Sequence, residues 1–287
     1  MASTTAKPNS WKTPSIIPGF GLTFGIFMTY MWILILLPIA VIFFRTFSLS
    51  FSEYIDIIKT PTVSHAIWLS LWTSMLAALI NVFFGLLIAW VLVRYNFPGR
   101  RLVDACIDLP FALPTAVAGI AFATLYSPIG WLGSLLNKLG ISIINTSTGI
   151  VIALIFIGIP FVVRTIQPAI AEFEKDVEEA AASLGANRIQ TFIKVILPAL
   201  LPSIMTGFAL AFGRAIGEYG SVIFIAGNLP RETQIAPLMI VIQLEGNAAN
   251  KYANAAAIGA TMLVIAFIIL LAINLLQAYN RRRFGNG

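Results

Sequence analysis

Uncharged, strongly apolar stretches recur six times along the chain, and more polar segments separate them. A helix needs about 20 apolar residues to cross the hydrocarbon core of a bilayer. The third helix is predicted to end near Ser127, because Pro128 and Gly130 follow it. The pattern predicts six membrane-spanning helices within residues 13–44, 60–93, 109–127, 139–163, 195–213 and 252–280.

The composition supports a bilayer environment. Hydrophobic residues make up 59% and charged residues 10% of the 287 residues, whereas soluble domains carry about 25% charged residues. The net charge of +6 is therefore interpreted as an orientation signal, and no nucleic-acid partner is expected. The single cysteine, Cys106, excludes an internal disulfide, and the single histidine, His65, leaves too few ligands for structural zinc. These observations predict an all-α integral membrane protein in contact with the lipid bilayer.

Lys and Arg are distributed unequally between the two ends of the predicted helices. If the N-terminus is cytoplasmic, twelve of them lie on the cytoplasmic side and five on the other side, with Arg214 inside a helix. The twelve are Lys7, Lys12, Arg94, Arg100, Arg101, Arg164, Lys175, Arg188, Lys194, Arg281, Arg282 and Arg283. Because cytoplasmic segments carry the excess of positive charge in membrane proteins, both termini are predicted to be cytoplasmic.

This orientation defines the predicted domain organisation. Residues 1–17, which are rich in Ser, Thr and Pro, are expected to form a flexible cytoplasmic N-terminus. Residues 18–283 are expected to form one membrane domain, and residues 284–287 a short C-terminal tail. The longest cytoplasmic loop of the membrane domain covers residues 172–198 and is here named the 172–198 loop.

Five of the twelve acidic residues cluster at the start of the 172–198 loop. Strong helix formers follow up to Gly185, a residue type that ends helices by adopting left-handed dihedral angles. Asn187 is a suitable N-cap for a second helix that leads to Pro198 and the fifth span. The sequence therefore predicts a helix, a glycine turn, a second helix and a membrane span, in that order. A solvated amphipathic connector is the alternative interpretation of this segment.

Two features at membrane depth are candidates for a transport pathway. Two prolines lie in the first turns of the third span, where each can bend the helix by removing a backbone donor. Arg214 and Glu218 lie four residues apart on one face of the fifth span, and charges at this depth usually face protein or water. A packed kink and a buried pair that fixes helix packing are the structural alternatives. The residues assigned to a pathway or gate are Pro110, Pro114, Arg214, Gly217, Glu218 and Gly220.

The order of residues in the 172–198 loop resembles the EAA loop of binding-protein-dependent ABC importer permeases. The resemblance rests on residues 179–181, Gly185 and residues 195–198, where Val195 replaces the isoleucine of the family. In that family the loop docks onto an ATP-hydrolysing subunit. The resemblance therefore implies a type I ABC importer permease fold with a cytoplasmic coupling loop. It also implies an ATPase-coupling role for Glu179, Ala180, Ala181, Gly185, Leu197 and Pro198.

Three further stretches resemble the CysT-type membrane subunit of bacterial sulfate and thiosulfate importers. They cover residues 94–127, 158–170 and 213–228, within a similarity from about residue 16 to residue 283. This resemblance implies an inner membrane location. It also implies three kinds of partner: a related CysW-type permease subunit, two ATPase subunits and a periplasmic sulfate-binding protein. The 213–228 stretch is also similar to molybdate permeases, so a molybdate or tungstate permease is an alternative.

The source of energy separates the remaining alternatives. The chain contains no G-x-x-x-x-G-K-[ST] phosphate-binding loop. We therefore expect it to hold no cofactor and to catalyse no reaction, with ATP and Mg bound by the partner ATPase subunits. An integral membrane enzyme would need a cluster of His, Cys or carboxylate residues at membrane depth, and only Glu218 has that position. The docking-type loop disfavours a carrier or channel that works alone.

Overall fold

The structure, a computed structural model, describes residues 20–247 and 249–284, and every regular element in these ranges is helical. The expected flexible segment 1–17 and residues 285–287 of the expected tail lie outside the described residues. The helices are α1 (Phe20–Met31), α2 (Leu37–Phe47), α3 (Phe51–Lys59), α4 (Pro61–Arg94), α5 (Arg100–Ile107), α6 (Leu109–Ala112), α7 (Thr115–Tyr126), α8 (Trp131–Lys138), α9 (Ser147–Glu172), α10 (Lys175–Ser183), α11 (Arg188–Thr191), α12 (Leu197–Ile216), α13 (Val222–Ile225), α14 (Ala236–Glu245) and α15 (Lys251–Phe284).

Five segments of the described chain are long and apolar enough to cross a membrane, and a bent pair of helices provides a sixth crossing. The first span is Gly21–Phe47, in which a π-helical turn at Trp32–Leu36 joins α1 to α2. The second and fourth spans are α4 and α9, the fifth is Arg188–Ile216, and the sixth lies in α15. The third consists of α7 and α8, whose axes differ by 44°. The structure therefore confirms six apolar spans if the bent pair is counted as one.

The third span is broken where the sequence predicts one bent helix over residues 109–127. Helix α6 ends at Ala112, and α7 begins at Thr115. Leu113 between them has φ −85° and ψ 132°, the extended geometry that a following proline favours. Pro114 therefore interrupts the helix and does not merely bend it. Helix α7 ends at Tyr126, one residue before the predicted helix end, but the bent pair that forms the third span continues through α8 to Lys138.

The second, fourth and fifth spans form the packed centre of the molecule. Gly85 of α4 lies against the side chain of Val162 in α9. A β-carbon at Gly207 of α12 would lie 3.2 Å from the Cα of the same Val162. Small residues permit this close approach, which stabilises helix contacts in a membrane where lipid supplies no hydrophobic force. Helices α4 and α12 thus both pack closely against α9 at Val162.

The first span is peripheral. Residues 21–30 are all exposed, and the first span packs against α15 through α2. On the same side, the Tyr54 hydroxyl of α3 lies 2.7 Å from the Thr261 hydroxyl of α15, within hydrogen-bond distance. The outer surface of α1 is therefore available to lipid or to another subunit.

Candidate functional site

The 172–198 loop contains the predicted first helix and glycine turn, but this helix begins later than residue 172. Helix α10 begins at Lys175 because α9 continues through Glu172. Gly185 has φ +85°, the left-handed geometry that the sequence predicts. Asn187 caps the next helix: its side-chain oxygen accepts from the Gln190 amide at 2.8 Å, and the Gln190 side chain accepts from the Asn187 amide at 3.0 Å. The predicted glycine turn and N-cap are confirmed.

The second helix of the loop is not a separate element, which corrects the sequence interpretation. Helix α11 continues through a π-helical turn at Phe192–Ile196 directly into α12. Pro198 does not interrupt this continuous helix, because it lies in the first turn of α12, where a missing backbone donor is tolerated. One helix of 29 residues therefore runs from Arg188 to Ile216, a length of about 43 Å.

The surface of the 172–198 loop is apolar as well as charged. Leu184 is 90% exposed, Ile189 71% and Ile193 55%. Exposed apolar side chains grouped on one segment are typical of a surface that another protein covers. Among the predicted coupling residues, Glu179, Ala180 and Gly185 are exposed, whereas Ala181, Leu197 and Pro198 are half-buried.

An ion-pair cluster that the sequence analysis missed joins α5 to α9. The Arg164 guanidinium donates through Nε and Nη2 to the Asp108 carboxylate at 2.8 and 2.6 Å, and through Nη1 to Asp104 at 2.7 Å. Gln167 also donates to Asp104, at 3.1 Å. The hydrogen bonds from Gln167 and Arg164 lower the pKa of the Asp104 carboxyl below its usual value. In the sequence, Asp104 and Asp108 lie four residues apart, a spacing that places both carboxylates on one side of a helix, but nothing in the sequence indicates Arg164 as their partner.

A second missed contact attaches the 172–198 loop to the second span. Arg94 is the last residue of α4, and its Nη2 lies 2.5 Å from Oε1 of Glu178 in α10. The sequence analysis noted the cluster of acidic residues in this segment but assigned Glu178 no partner. This contact places the end of the second span and the 172–198 loop at the same end of the helix bundle.

The predicted Arg214–Glu218 pair is present, but its geometry differs from the prediction. Helix α12 ends at Ile216, so Glu218 lies beyond the helix and not on its face. The Glu218 carboxylate accepts from Arg214 Nη1 at 2.5 Å and from the amide and hydroxyl of Ser221 at 2.9 and 3.0 Å. Glu218 is 3% exposed, whereas the Arg214 side chain is 33% exposed. The buried carboxylate therefore holds the turn segment between α12 and α13, and the guanidinium remains partly exposed.

Close packing explains some of the glycines around this pair. A β-carbon at Gly220 would collide with the Thr115 hydroxyl, and one at Gly119 would lie 2.8 Å from the Ser221 Cα. The segment after α12 is therefore pressed against the first turns of α7, which begins directly after Pro114. Gly217 has no neighbour within 4 Å of an added β-carbon, so packing does not require glycine there.

The structure brings most of the predicted pathway residues together. Arg214, Gly217, Glu218 and Gly220 form one segment, and Pro114 lies at its contact with α7. Pro110 is separate: it lies in α6, which packs on α9 through Phe111 and Phe161, with ring centroids 5.1 Å apart. Within the described chain, no three His, Cys, Asp or Glu side chains are placed to hold a metal ion.

Known proteins share this architecture. The family described as binding-protein-dependent transport system inner membrane component matches residues 81–286. A probable sulfate transport system permease protein cysT from Nephroselmis olivacea is 48% identical over 258 residues, which is 90% of each chain. The sulfate transport system permease protein CysT of Escherichia coli (strain K12) is 43% identical over 272 residues, 94% of this chain and 97% of that protein.

A solved structure supports the same fold. The bacterial ABC transporter involved in the import of the acidic polysaccharide alginate contains a chain that superposes with a TM-score of 0.73 at 18% identity. The superposition covers 92% of this chain and 96% of that chain. The expected all-α, type I ABC importer permease fold is confirmed. The chain belongs to the family of inner membrane components of binding-protein-dependent transport systems.

Proposed function

We propose that this chain is a transmembrane subunit of an ATP-driven importer that moves sulfate, and also thiosulfate, across a bacterial inner membrane. The sulfate transport permeases of N. olivacea and E. coli resemble it over at least 90% of its length. The observation that carries the mechanism is the helix Arg188–Ile216, which joins the exposed loop to the ion pair at membrane depth.

Energy enters through the 172–198 loop. A partner ATPase binds ATP and Mg and docks on this loop at Glu179, Ala180 and Gly185, while the chain itself acts as a permease and not as an enzyme. Packed helices shift between discrete arrangements, so closure of the ATPase moves the fifth span as a body. The displacement reaches Arg214 over about 39 Å, at 1.5 Å for each of the 26 residues after Arg188.

The complete importer contains other subunits. They are a related CysW-type permease, two ATPase subunits and a periplasmic sulfate-binding protein. Helix α7 exposes Val117 and Ile120 by 50% each beside the segment that contains Gly220, and this apolar surface suits the second permease subunit. Both termini are cytoplasmic, as the distribution of Lys and Arg predicts.

The Arg214–Glu218 segment forms the gate or lines the sulfate path. Arg214 is the partly exposed member of the pair, so its guanidinium can face a passing dianion. Glu218 weakens the attraction between Arg214 and the anion, because its carboxylate already neutralises the charge of Arg214. A balanced pair suits passage better than tight capture, since a transporter must release what it binds. Gly217 leaves open space beside the pair.

Molybdate or tungstate is the second candidate substrate, because the 213–228 stretch resembles molybdate permeases. Oxyanion preference is then set by the periplasmic binding protein that delivers the substrate. Competition of sulfate uptake by molybdate in the assembled system separates the two candidates.

Copurification tests the proposal. The chain, purified from native membranes in mild detergent, should bring with it one related permease and two ATPase copies, as measured by native mass spectrometry. The periplasmic binding protein should join when sulfate is present. A stable homodimer without ATPase that transports sulfate would contradict the proposal.

A further inference from the structure

Helix α10 is the first helix within the 172–198 loop, and none of its residues is buried. A helix with no buried face gains little stability from packing, so specific contacts must set its position. Glu178, which is 29% exposed in its side chain, is the α10 residue that forms an ion pair with a membrane span.

Arg94, the partner of Glu178, lies in a constrained environment at the end of α4. Its side chain is only 13% exposed, and its guanidinium carbon lies 5.2 Å from the centroid of the Trp90 ring. Its Nε is buried without an acceptor, and Glu178 is the carboxylate within ion-pair distance among the described residues. Loss of Glu178 would strand a largely buried cation, unlike the loss of a partner at an exposed ion pair.

The same site includes the start of the fifth span. The Trp90 ring contacts the Phe192 ring edge-to-face, with centroids 5.8 Å apart. Phe192 is the first residue of the π-helical turn that joins α11 to α12, and single π-helical turns are frequent at functional positions. Arg94 and Trp90, one turn apart on α4, thus hold both sides of the glycine turn: α10 through Glu178, and the fifth span through Phe192.

We propose that the Arg94–Glu178 pair locks α10 to the second span, so that movement of the 172–198 loop displaces the second and fifth spans together. Arg94 and Glu178 are positioning residues for energy coupling, and this role rests on the proposed function. Without the lock, α10 turns about Gly185, which has φ +85° and no neighbour within 4 Å of an added β-carbon. The ATPase then moves the loop without moving the second span.

The test uses the assembled importer in proteoliposomes and measures sulfate transported per ATP hydrolysed. Arg94→Glu and Glu178→Arg should each lower this ratio by at least about fivefold, the lower limit of typical coupling between sites. The double variant should recover most of the lost ratio, although the contact between the Arg94 cation and the Trp90 ring is then absent. Asp176→Asn, at an exposed acidic residue of the same helix, should stay within about twofold, as surface substitutions usually do. Single variants with the wild-type ratio, or a double variant as poor as the singles, would overturn the proposal.

A second measurement does not depend on the substrate. Hydrogen exchange of the amides in α10 should be faster in each single variant and should return toward the wild-type rate in the double variant. Unchanged exchange in the single variants would overturn the lock. If exchange responds as expected but the wild-type importer moves no sulfate, the assignment of substrate fails and the lock stands.

Discussion

Glu218→Ala tests whether one buried carboxylate holds the end of the fifth span. Glu218 is 3% exposed and accepts three hydrogen bonds: one from Arg214 Nη1 and two from the amide and hydroxyl of Ser221. Substitution by alanine removes the carboxylate that accepts all three hydrogen bonds. The substitution therefore leaves a cation and two buried donors without their acceptor in the segment that follows Ile216.

The structure sets the expected magnitude. Removing one member of a buried ion pair costs about 3–5 kcal/mol when the remaining charge is fully buried. The Arg214 side chain is 33% exposed, so water recovers part of that loss. The buried Ser221 amide cannot turn to another acceptor, which costs about 1–3 kcal/mol, whereas its hydroxyl can rotate. Together these terms predict that the free energy of unfolding falls by about 2–5 kcal/mol.

The assay compares unfolding of the purified complex in mixed micelles with sulfate uptake per assembled complex. Glu245→Ala is the matched control, because Glu245 is an exposed acidic residue at the end of α14, and it should change the free energy of unfolding by no more than about 0.5 kcal/mol. A loss below about 1 kcal/mol for Glu218→Ala would refute the reasoning, since a stranded buried donor alone costs that much.

The double variant Arg214→Met/Glu218→Ala separates packing from transport. The double variant removes the unpaired cation, so the free energy of unfolding should recover in part. The remaining loss comes from the Ser221 amide, which still lacks an acceptor. If Arg214 faces the sulfate path, uptake per assembled complex should still fall in the double variant. Unchanged uptake per complex in the single and double variants would reject the gate assignment and leave the importer proposal intact.

Three further predictions concern the turn, the ion-pair cluster and the α7 contact. Gly185→Val should reduce ATP-coupled uptake while membrane insertion persists; Gly140→Val, with φ +74° outside the loop, is the control. Asp104 has a lowered pKa in the folded state, so its stabilisation is present at neutral pH and is lost on acidification. Asp104→Asn should therefore be less stable than wild type at pH 7, with thermal melting curves that converge below about pH 4. Gly119→Val should reduce the yield of folded protein, because its side chain would collide with Ser221.

The spans and the 172–198 loop could be predicted because each depends on local sequence. Uncharged runs reveal membrane helices, and Gly185 and Asn187 mark a turn and a cap by their own backbone preferences. The break before α7 was predicted only as a bend, since a proline can kink a helix or end it and the neighbouring helices decide between the two outcomes.

The long-range ion pairs could not be predicted from local pattern. Arg94 and Glu178 are 84 residues apart, and Arg164 lies 60 residues from Asp104. Such contacts depend on which helices become neighbours, and that information lies in the packing of three spans through small residues such as Gly85 and Gly207. The distribution of Lys and Arg placed Arg94 and Arg164 on the cytoplasmic side and gave no indication of their partners.

Sulfate accumulation in proteoliposomes tests the central claim most directly. The purified complex of this chain, the second permease and the ATPase is reconstituted with ATP inside the vesicles and the sulfate-loaded binding protein outside. The account predicts that labelled sulfate accumulates only when both ATP and the binding protein are present. Sulfate uptake by this chain without ATPase, driven by an ion gradient, would contradict it, as would accumulation of molybdate without sulfate.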